Sequence, residues 1–257
     1  NPGIYYYCPG VTITLPGGTY GTGYGIKPYP LNADLEEEYL FVYKYDERQR
    51  MVEKKVPGAA PVYMVYDQRD RLVLTQDGEQ RKDSIWLFTK YDALNRPVLT
   101  GIKAITGDRD AVQDAVTAFY DNPNNDRMYE EQSGDMEGSD HGYSDESYPK
   151  GIATNDYLTV TYYDNYEFNN DVDMGPEQVI DEDDPYYDLL IDLTPLDNPK
   201  GQVTGGKVKN LATNAWYFNA VYYDRKYRPI HTVSENHKGG LDITYNVYNV
   251  IGDVTYS

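Results

Sequence analysis

The chain has 257 residues, a hydrophobic content of 40% and a formal net charge of −19. This charge, with no basic patch to neutralise phosphates, excludes nucleic acid as an expected partner. No apolar stretch approaches the roughly 18 residues that a membrane-spanning helix needs, so no membrane span is expected. Tyrosine supplies 29 residues, and its high β-propensity favours a thin sheet wetted on both faces.

The first predicted elements, within residues 1–38, are short strands separated by glycine turns. From residue 39 onward a Tyr-Asp-x-x-x-Arg motif recurs, each time between two short β-prone runs. Its four copies are Tyr45-Asp46 with Arg50, Tyr66-Asp67 with Arg71, Tyr91-Asp92 with Arg96, and Tyr223-Asp224 with Arg228. A motif that recurs with similar flanks indicates a repeat protein, in which neighbouring units share one core.

Each copy predicts a strand, a tight turn and a return strand. The aspartate is expected to accept hydrogen bonds from main-chain N–H groups of the turn. The arginine is expected to pair with that aspartate or to lie on the tyrosine ring. The residue before the arginine is expected to have a positive φ, a strained conformation when it is not glycine. These residues are Gln49, Asp70, Asn95 and Tyr227. A direct role of the motif in ligand binding is the alternative.

We expect a single domain over 1–257, with three clear repeats in 39–101 and an insertion in 102–150. One helix is predicted near 108–120, capped by Asp108, because Val112, Ala115, Val116 and Phe119 recur at helical spacing. This stripe is expected to pack on one face of the sheet. A Gly/Ser/Asp-rich loop, from about 132 to 147, follows the helix.

Residues 151–257 are predicted to hold degenerate repeats and an acidic loop over 165–198. Tyr163-Asp164 continues the motif, but Phe168 and Asn169 stand where the arginine is expected. Tyr248 is followed by asparagine instead of aspartate. The acidic loop is interpreted as a solvated segment, with calcium binding as the alternative. Its Asn169-x-Asp171-x-Asp173 pattern lacks the glycine and the glutamate of a calcium loop.

The phrases Val65-Tyr66-Asp67-Gln68-Arg69-Asp70-Arg71-Leu72 and Lys90-Tyr91-Asp92-Ala93-Leu94-Asn95-Arg96 resemble the YD-repeat (Rhs-type) family, in the form found in large secreted or cell-wall-associated proteins of Bacteroidetes-type bacteria. The resemblance implies repeated antiparallel hairpins that form an open, curved sheet or partial β-shell. Such shells enclose a C-terminal toxin, and other members mediate adhesion. The family's glycine before the arginine is missing in all four copies. Its self-cleaving Asp-Pro-x-Gly signature is also absent, so the chain resembles an interior stretch.

The expected function is therefore a non-catalytic segment of an exported shell or cell-surface protein, which encapsulates or presents a toxin or effector. The expected partners are neighbouring repeats, an enclosed toxin or a surface glycan. The alternative is an extracellular carbohydrate- or protein-binding adhesion module. No catalytic, cofactor or metal residue is assigned. His231 is expected on a strand surface and His141 in a loop. The expected location is secreted or cell-surface, with an export signal upstream of Asn1-Pro2.

Overall fold

A computed structural model describes residues 41–125, 127–133, 141–168, 195–249 and 251–256, together with the backbone of four short strands before residue 27. Most of the predicted acidic loop lies outside these residues, and so does its calcium-like pattern. The one cysteine of the chain, Cys8, also lies outside them. So does Asp184-Pro185, where Tyr187 stands in the glycine position of the Asp-Pro-x-Gly signature. The chain divides into two compact units, residues 1–89 with 102–128, and residues 90–101 with 129–257. The prediction of a single domain stays a prediction.

The first unit is built from antiparallel hairpins in chain order. Its strands are β1 (Ile4–Tyr7), β2 (Ile13–Leu15), β3 (Gly18–Tyr20), β4 (Gly25–Ile26), β5 (Phe41–Tyr45), β6 (Met51–Lys55), β7 (Val62–Tyr66) and β8 (Leu72–Gln76). Strands β9 (Ile85–Tyr91) and β10 (Pro97–Ala104) are each divided between the two units. The order in this unit is β4-β1-β5-β6-β7-β8-β9, and β2 pairs with β3 in a separate hairpin.

Two helices accompany these strands. Helix α1 (Gly78–Lys82) is a single turn that the sequence did not predict. The Asp77 side chain caps it by accepting from the N–H groups of Glu79 and Gln80. In turn, the Gln80 side-chain oxygen accepts from the Asp77 N–H. Helix α2 (Arg109–Asp121) is the predicted helix, with Asp108 as its N-cap.

The buried face of α2 differs from the predicted stripe. Val112, Val116 and Tyr120 are buried, whereas Ala115 is exposed and Phe119 is only partly covered. An i, i+4, i+8 row presents a narrow face, and α2 turns this face toward β7. The Gln113 side-chain amide also donates to the Tyr66 carbonyl at 2.7 Å and accepts from the Tyr66 N–H at 3.0 Å. Gln113 thus bonds the main chain of Tyr66, beyond the Val62 and Tyr63 positions at which β7 pairs with β6.

The second unit continues the hairpin pattern. Its strands are β11 (Tyr157–Tyr163), β12 (Val203–Lys209), β13 (Trp216–Tyr223), β14 (Pro229–Glu235) and β15 (Leu241–Tyr245). They follow β10 in chain order, and each pairs antiparallel with the next. A short hairpin of β16 (Val247–Tyr248) and β17 (Val254–Tyr256) follows. Neither unit has a row of paired strands that closes on itself among the described strands, because the end strands β4 and β15 each pair with one neighbour. The predicted all-β fold of antiparallel hairpins in an open sheet is confirmed.

Aromatic side chains form the core of the second unit. The Phe168 ring stacks on Tyr162 at 4.4 Å between centroids, and Tyr162 stacks on Tyr143 at 5.8 Å. Phe168 lies against Gly205 so closely that a Cβ there would meet its ring at 2.4 Å. The glycine in β12 is therefore required by the packing of a ring against the strand.

Candidate functional site

The four motif copies form the same turn. In each, the aspartate N–H donates to the arginine carbonyl, and the N–H three residues later donates back to the aspartate carbonyl. The carboxylate Oδ1 also accepts from the N–H groups two and four residues ahead, at 2.8–3.0 Å. The β-pairing register shifts beside the turn at Tyr45, Tyr66 and Tyr223. This is a type I turn followed by a bulge residue in the left-handed region.

The bulge residues have the backbone conformation that the sequence predicted. The φ angles are 63° at Gln49, 61° at Asp70, 65° at Asn95 and 62° at Tyr227. All four lie in the left-handed region, where a side chain costs free energy that glycine does not. A residue other than glycine thus occupies the left-handed position in all four turns.

Each arginine pairs with the aspartate of its own turn. The Nε–H group donates to the second carboxylate oxygen at 2.6–2.7 Å in all four copies. Asp67 is the most enclosed, with a fully buried side chain, while Arg71 is 8% exposed. At Asp46, burial alone would raise the pKa, but the hydrogen bonds and charge of Arg50 outweigh burial and hold it below its usual value.

The arginine also contacts the next hairpin, which the sequence did not predict. The sequence predicted contact with the tyrosine of the same copy, but in three of the four copies the guanidinium lies over the tyrosine of the next hairpin, while the Arg71 guanidinium donates to the Met128 carbonyl. Arg50 lies 4.9 Å from the Tyr66 ring, Arg96 lies 4.2 Å from Tyr163, and Arg228 lies 4.4 Å from Tyr248. These are distances at which a cation is attracted to a ring face.

The following tyrosine also bonds back to the preceding hairpin. Its hydroxyl donates to the main-chain carbonyl of the residue just after the arginine. The bonds run from Tyr66 to Met51 at 2.7 Å, from Tyr163 to Pro97 at 3.1 Å, and from Tyr248 to Pro229 at 2.9 Å. In these three copies the arginine and the following tyrosine thus form a two-way connection between successive hairpins.

The turns themselves are joined by charge within each unit. In the first unit, Arg50 donates to the Asp67 carbonyl at 3.2 Å and to the Asp70 carboxylate at 2.9 Å. In the second unit, the Arg96 guanidinium donates to both carboxylate oxygens of Asp164, at 3.0 and 2.6 Å. This bidentate bond raises the pKa of Arg96 and lowers that of Asp164.

The degenerate copies keep the hydrogen bond that closes the turn and change the residues. The Asp164 N–H donates to the carbonyl of Gln202, so Gln202 takes the arginine position that the sequence assigned near Phe168 and Asn169. The spacing concealed this because an insertion separates the two ends of the turn. In the last copy, Asn249 accepts from three N–H groups, and Asp253 takes the arginine position.

A second cluster, the Lys90 cluster, consists of Lys90, Glu130, Asp145 and Ser147. The Lys90 and Glu130 side chains are fully buried. Lys90 Nζ donates to Glu130 at 3.0 Å, to Asp145 at 2.5 Å and to the Ser147 carbonyl at 3.1 Å. The predicted loop of about 132–147 therefore contributes Asp145 and Ser147, which are among its described residues, to this cluster. This cluster was not predicted from the sequence. The alternation of β9 did carry a signal, since Lys90 follows Trp86 and Phe88 on the inward face of the strand.

Glu130 is held as a carboxylate. Burial would raise its pKa, but the charge of Lys90 and the hydrogen bonds from residues 144–147 outweigh that effect and lower it. Besides Lys90, the donors are the hydroxyls of Ser144 and Ser147 and the N–H groups of Glu146 and Ser147. The glutamate thus fixes this segment against β9.

Both described histidines with shifted pKa values are core residues. The His141 pKa and the His231 pKa are lowered to about 4, mainly by burial. His231 was expected on a strand surface, but it is 3% exposed and stacks between Tyr222 and Tyr245, its partners on the two adjacent strands. Its Nε2 has no hydrogen-bond partner among the described residues. His141 lies in a loop as expected, but it is also buried.

Two open grooves accompany these features. In the first unit, a groove of about 600 Å³ is lined by Tyr45, Glu53, Tyr63 and the start of α2. In the second, a groove of about 310 Å³ is lined by Arg96, Glu130, Tyr143 and Asp164. The charged groups named in the smaller groove already pair with one another or with neighbouring protein groups.

The described ranges contain no group of three metal-ligating side chains, and none of their helices is long and apolar enough to cross a membrane. Comparison with protein-family models and with curated proteins finds no match to this chain. The twelve motif residues build the four turns, and three of the arginines connect their turn to the next hairpin. Their chemistry is that of hydrogen bonding and charge pairing within the protein.

Proposed function

We propose that this chain is a non-catalytic structural segment of a large exported YD-repeat protein, in which each hairpin is fastened to the next. The observation that carries the proposal is the two-way connection between the arginine of one hairpin and the tyrosine of the following one. A residue that repeats because it joins neighbours is expected to make the same contact repeatedly, as Arg50, Arg96 and Arg228 do. A binding site would require it in one copy only.

The saturation of the motif also supports a structural role. Both carboxylate oxygens of Asp46, Asp67, Asp92 and Asp224 accept hydrogen bonds from their own turns. Groups already engaged in this way would have to lose those bonds before recognising a ligand, which is costly when they are partly buried. The motif is therefore better suited to holding a sheet together than to binding a partner.

The shell proposed from the family resemblance would enclose or present a C-terminal toxin or effector. Its test is protease protection of the full-length gene product that contains this chain. The segment after the repeats should resist a non-specific protease while the shell is folded, and should be cleaved after the shell is unfolded in urea. The same segment produced alone is the control. Equal cleavage rates for the enclosed and free segments would contradict encapsulation.

Adhesion to a surface glycan is the second candidate, favoured by the groove lined by Tyr45 and Tyr63. Sugar recognition by stacking needs exposed aromatic faces. Among the described tyrosines only Tyr227, at 44% exposure, is classed as exposed, which favours the structural role. A glycan array with the wild-type chain and with Tyr63→Ala separates the two candidates. Binding that is lost in Tyr63→Ala, with the fold retained by circular dichroism, supports adhesion, and an absence of hits contradicts it.

A further inference from the structure

The Lys90 cluster places one amine within hydrogen-bond distance of two carboxylates. The Lys90 amine lies 2.5 Å from Oδ1 of Asp145 and 3.0 Å from Oε1 of Glu130. The Lys90 and Glu130 side chains are fully buried, while Asp145 is 39% exposed. A nucleophilic amine, a carboxyl group beside it and a second carboxylate thus meet at the end of β9. These groups suffice for amide formation within the chain.

Burial gives this reaction a driving force. An ion pair inside a protein bears a desolvation cost that its mutual attraction only partly offsets. Conversion of Lys90 and Asp145 into a neutral amide removes the cost of the buried ammonium, and Glu130 keeps its four donors from residues 144–147. Groups fixed in contact also react as though present at very high concentration, with effective molarities of about 10⁵ M or more in well-oriented cases.

We propose that Lys90 and Asp145 condense into an intramolecular isopeptide bond, with Glu130 as the proton-transfer group. The assignment to Asp145 follows from two observations. Its Oδ1 is the acceptor nearest to the amine, and Glu130 is fixed by four further donors from residues 144–147. The proposal does not depend on the shell function.

The step balances without any co-reactant. One ammonium proton moves from Lys90 Nζ to Asp145 Oδ1, which leaves a neutral amine and a neutral carboxylic acid. The nitrogen lone pair then attacks Cγ, and the C=O electron pair moves to Oδ2. Glu130 takes a second proton from the nitrogen and returns it to Oδ1. The electron pair on Oδ2 then re-forms the C=O bond as the Cγ–Oδ1 bond breaks and water leaves. The sum is ammonium and carboxylate giving an amide and one water molecule.

The site also provides for the charge that develops on Oδ2. The Gly151 N–H donates to this oxygen at 2.8 Å, so it is in place to stabilise the oxyanion. Gly151 has a φ of 64°, in the left-handed region that favours glycine. The partial exposure of Asp145 gives the departing water a route to solvent.

The test is the intact mass of the purified full chain under denaturing conditions, followed by peptide mapping. We expect a mass lower by one water molecule, and a peptide containing Lys90 joined to one containing Asp145. The map is needed because Asp77-Gly78 could also lose water by forming a succinimide. Lys90→Ala and Asp145→Ala should show no loss. Asp145→Asn should lose ammonia in place of water, because the leaving group changes.

Two further variants complete the design. Lys150→Ala is the matched control, since Lys150 pairs with Glu146 at the same 3.0 Å but on the surface, and it should retain the loss of water. Glu130→Gln keeps both reacting groups and should abolish the bond, and a bond formed at the wild-type level would overturn the role of Glu130. A folded wild-type chain with its full sequence mass would overturn the proposal. So would a loss of water that persists in Asp145→Ala, whose partly exposed position allows the variant to fold.

Discussion

Replacement of Asp67 by alanine should be the most damaging change in the series of turns. The substitution removes the acceptor of the Arg69 and Arg71 N–H groups, both at 2.9 Å, and leaves the Arg71 guanidinium without its carboxylate. Because the Asp67 side chain is fully buried, we expect a loss of about 4 kcal/mol, as when one partner of a buried pair is removed. Asp46→Ala removes the same bonds, but Asp46 is 18% exposed, so a loss of about 2 kcal/mol is expected.

The assay is urea unfolding followed by the fluorescence of Trp86, in a Trp216→Phe background. The chain has two tryptophans, and Trp86 is fully buried in the unit that contains both turns. Glu79→Ala is the matched control, because its ion pair with Lys82 is 83% exposed at the glutamate and should contribute at most about 0.5 kcal/mol. Equal losses for Asp46→Ala and Asp67→Ala, or a loss below about 1 kcal/mol for both, would refute the reasoning.

Further changes test other parts of the fold. Tyr227→Asn should raise stability by about 0.5 kcal/mol, because asparagine tolerates the left-handed region better than tyrosine. Asn95→Val should lower stability by more than about 1 kcal/mol for the opposite reason. Thermal unfolding measures both changes. Gln113→Ala should lower stability by about 2 kcal/mol in urea titration, because two hydrogen bonds to the Tyr66 main chain are lost. His231→Phe should flatten the pH dependence of stability. Folded His231 has a pKa of about 4, below the unfolded value of about 6.5, so the unfolded state binds more protons between these values and stability falls as the pH falls through them. A variant that loses as much stability as the wild type between pH 7 and pH 4 would contradict this assignment.

The turn chemistry could be predicted from sequence because it is local. The aspartate, the bulge residue and the arginine lie within five consecutive residues, so their hydrogen bonds follow from turn geometry alone. The helix capped by Asp108 is local for the same reason. Its buried face was predicted less well, because the choice of Val112, Val116 and Tyr120 depends on how α2 lies along β7.

Contacts between hairpins could not be predicted, because they depend on strand order and register. Arg50 and Tyr66 meet across two adjacent hairpins, and the motif gives no sign of whether a ring belongs to its own copy or to the next. Gln202 lies 38 residues after Asp164, since an insertion separates the ends of that turn. His231 was misplaced because its burial comes from Tyr222 and Tyr245 on both adjacent strands. The inward register of β9 could have marked Lys90 as buried, but Glu130 lies in an irregular segment with no periodic pattern.

Among the described turns, the type of residue at the bulge position correlates with whether the turn has its own Asp–Arg ion pair. The four turns with their own Asp–Arg pair carry a residue other than glycine there, namely Gln49, Asp70, Asn95 and Tyr227. In three described turns that lack this pair, which begin at Asp164, Asn236 and Asn249, the position holds Gly201, Gly239 and Gly252. A left-handed side chain costs about 1–2 kcal/mol, and a partly buried, charge-assisted hydrogen bond contributes a similar amount. The Asp–Arg pair therefore offsets the cost of the left-handed side chain within its own turn, and in three copies the same guanidinium is held in place against the tyrosine of the next hairpin.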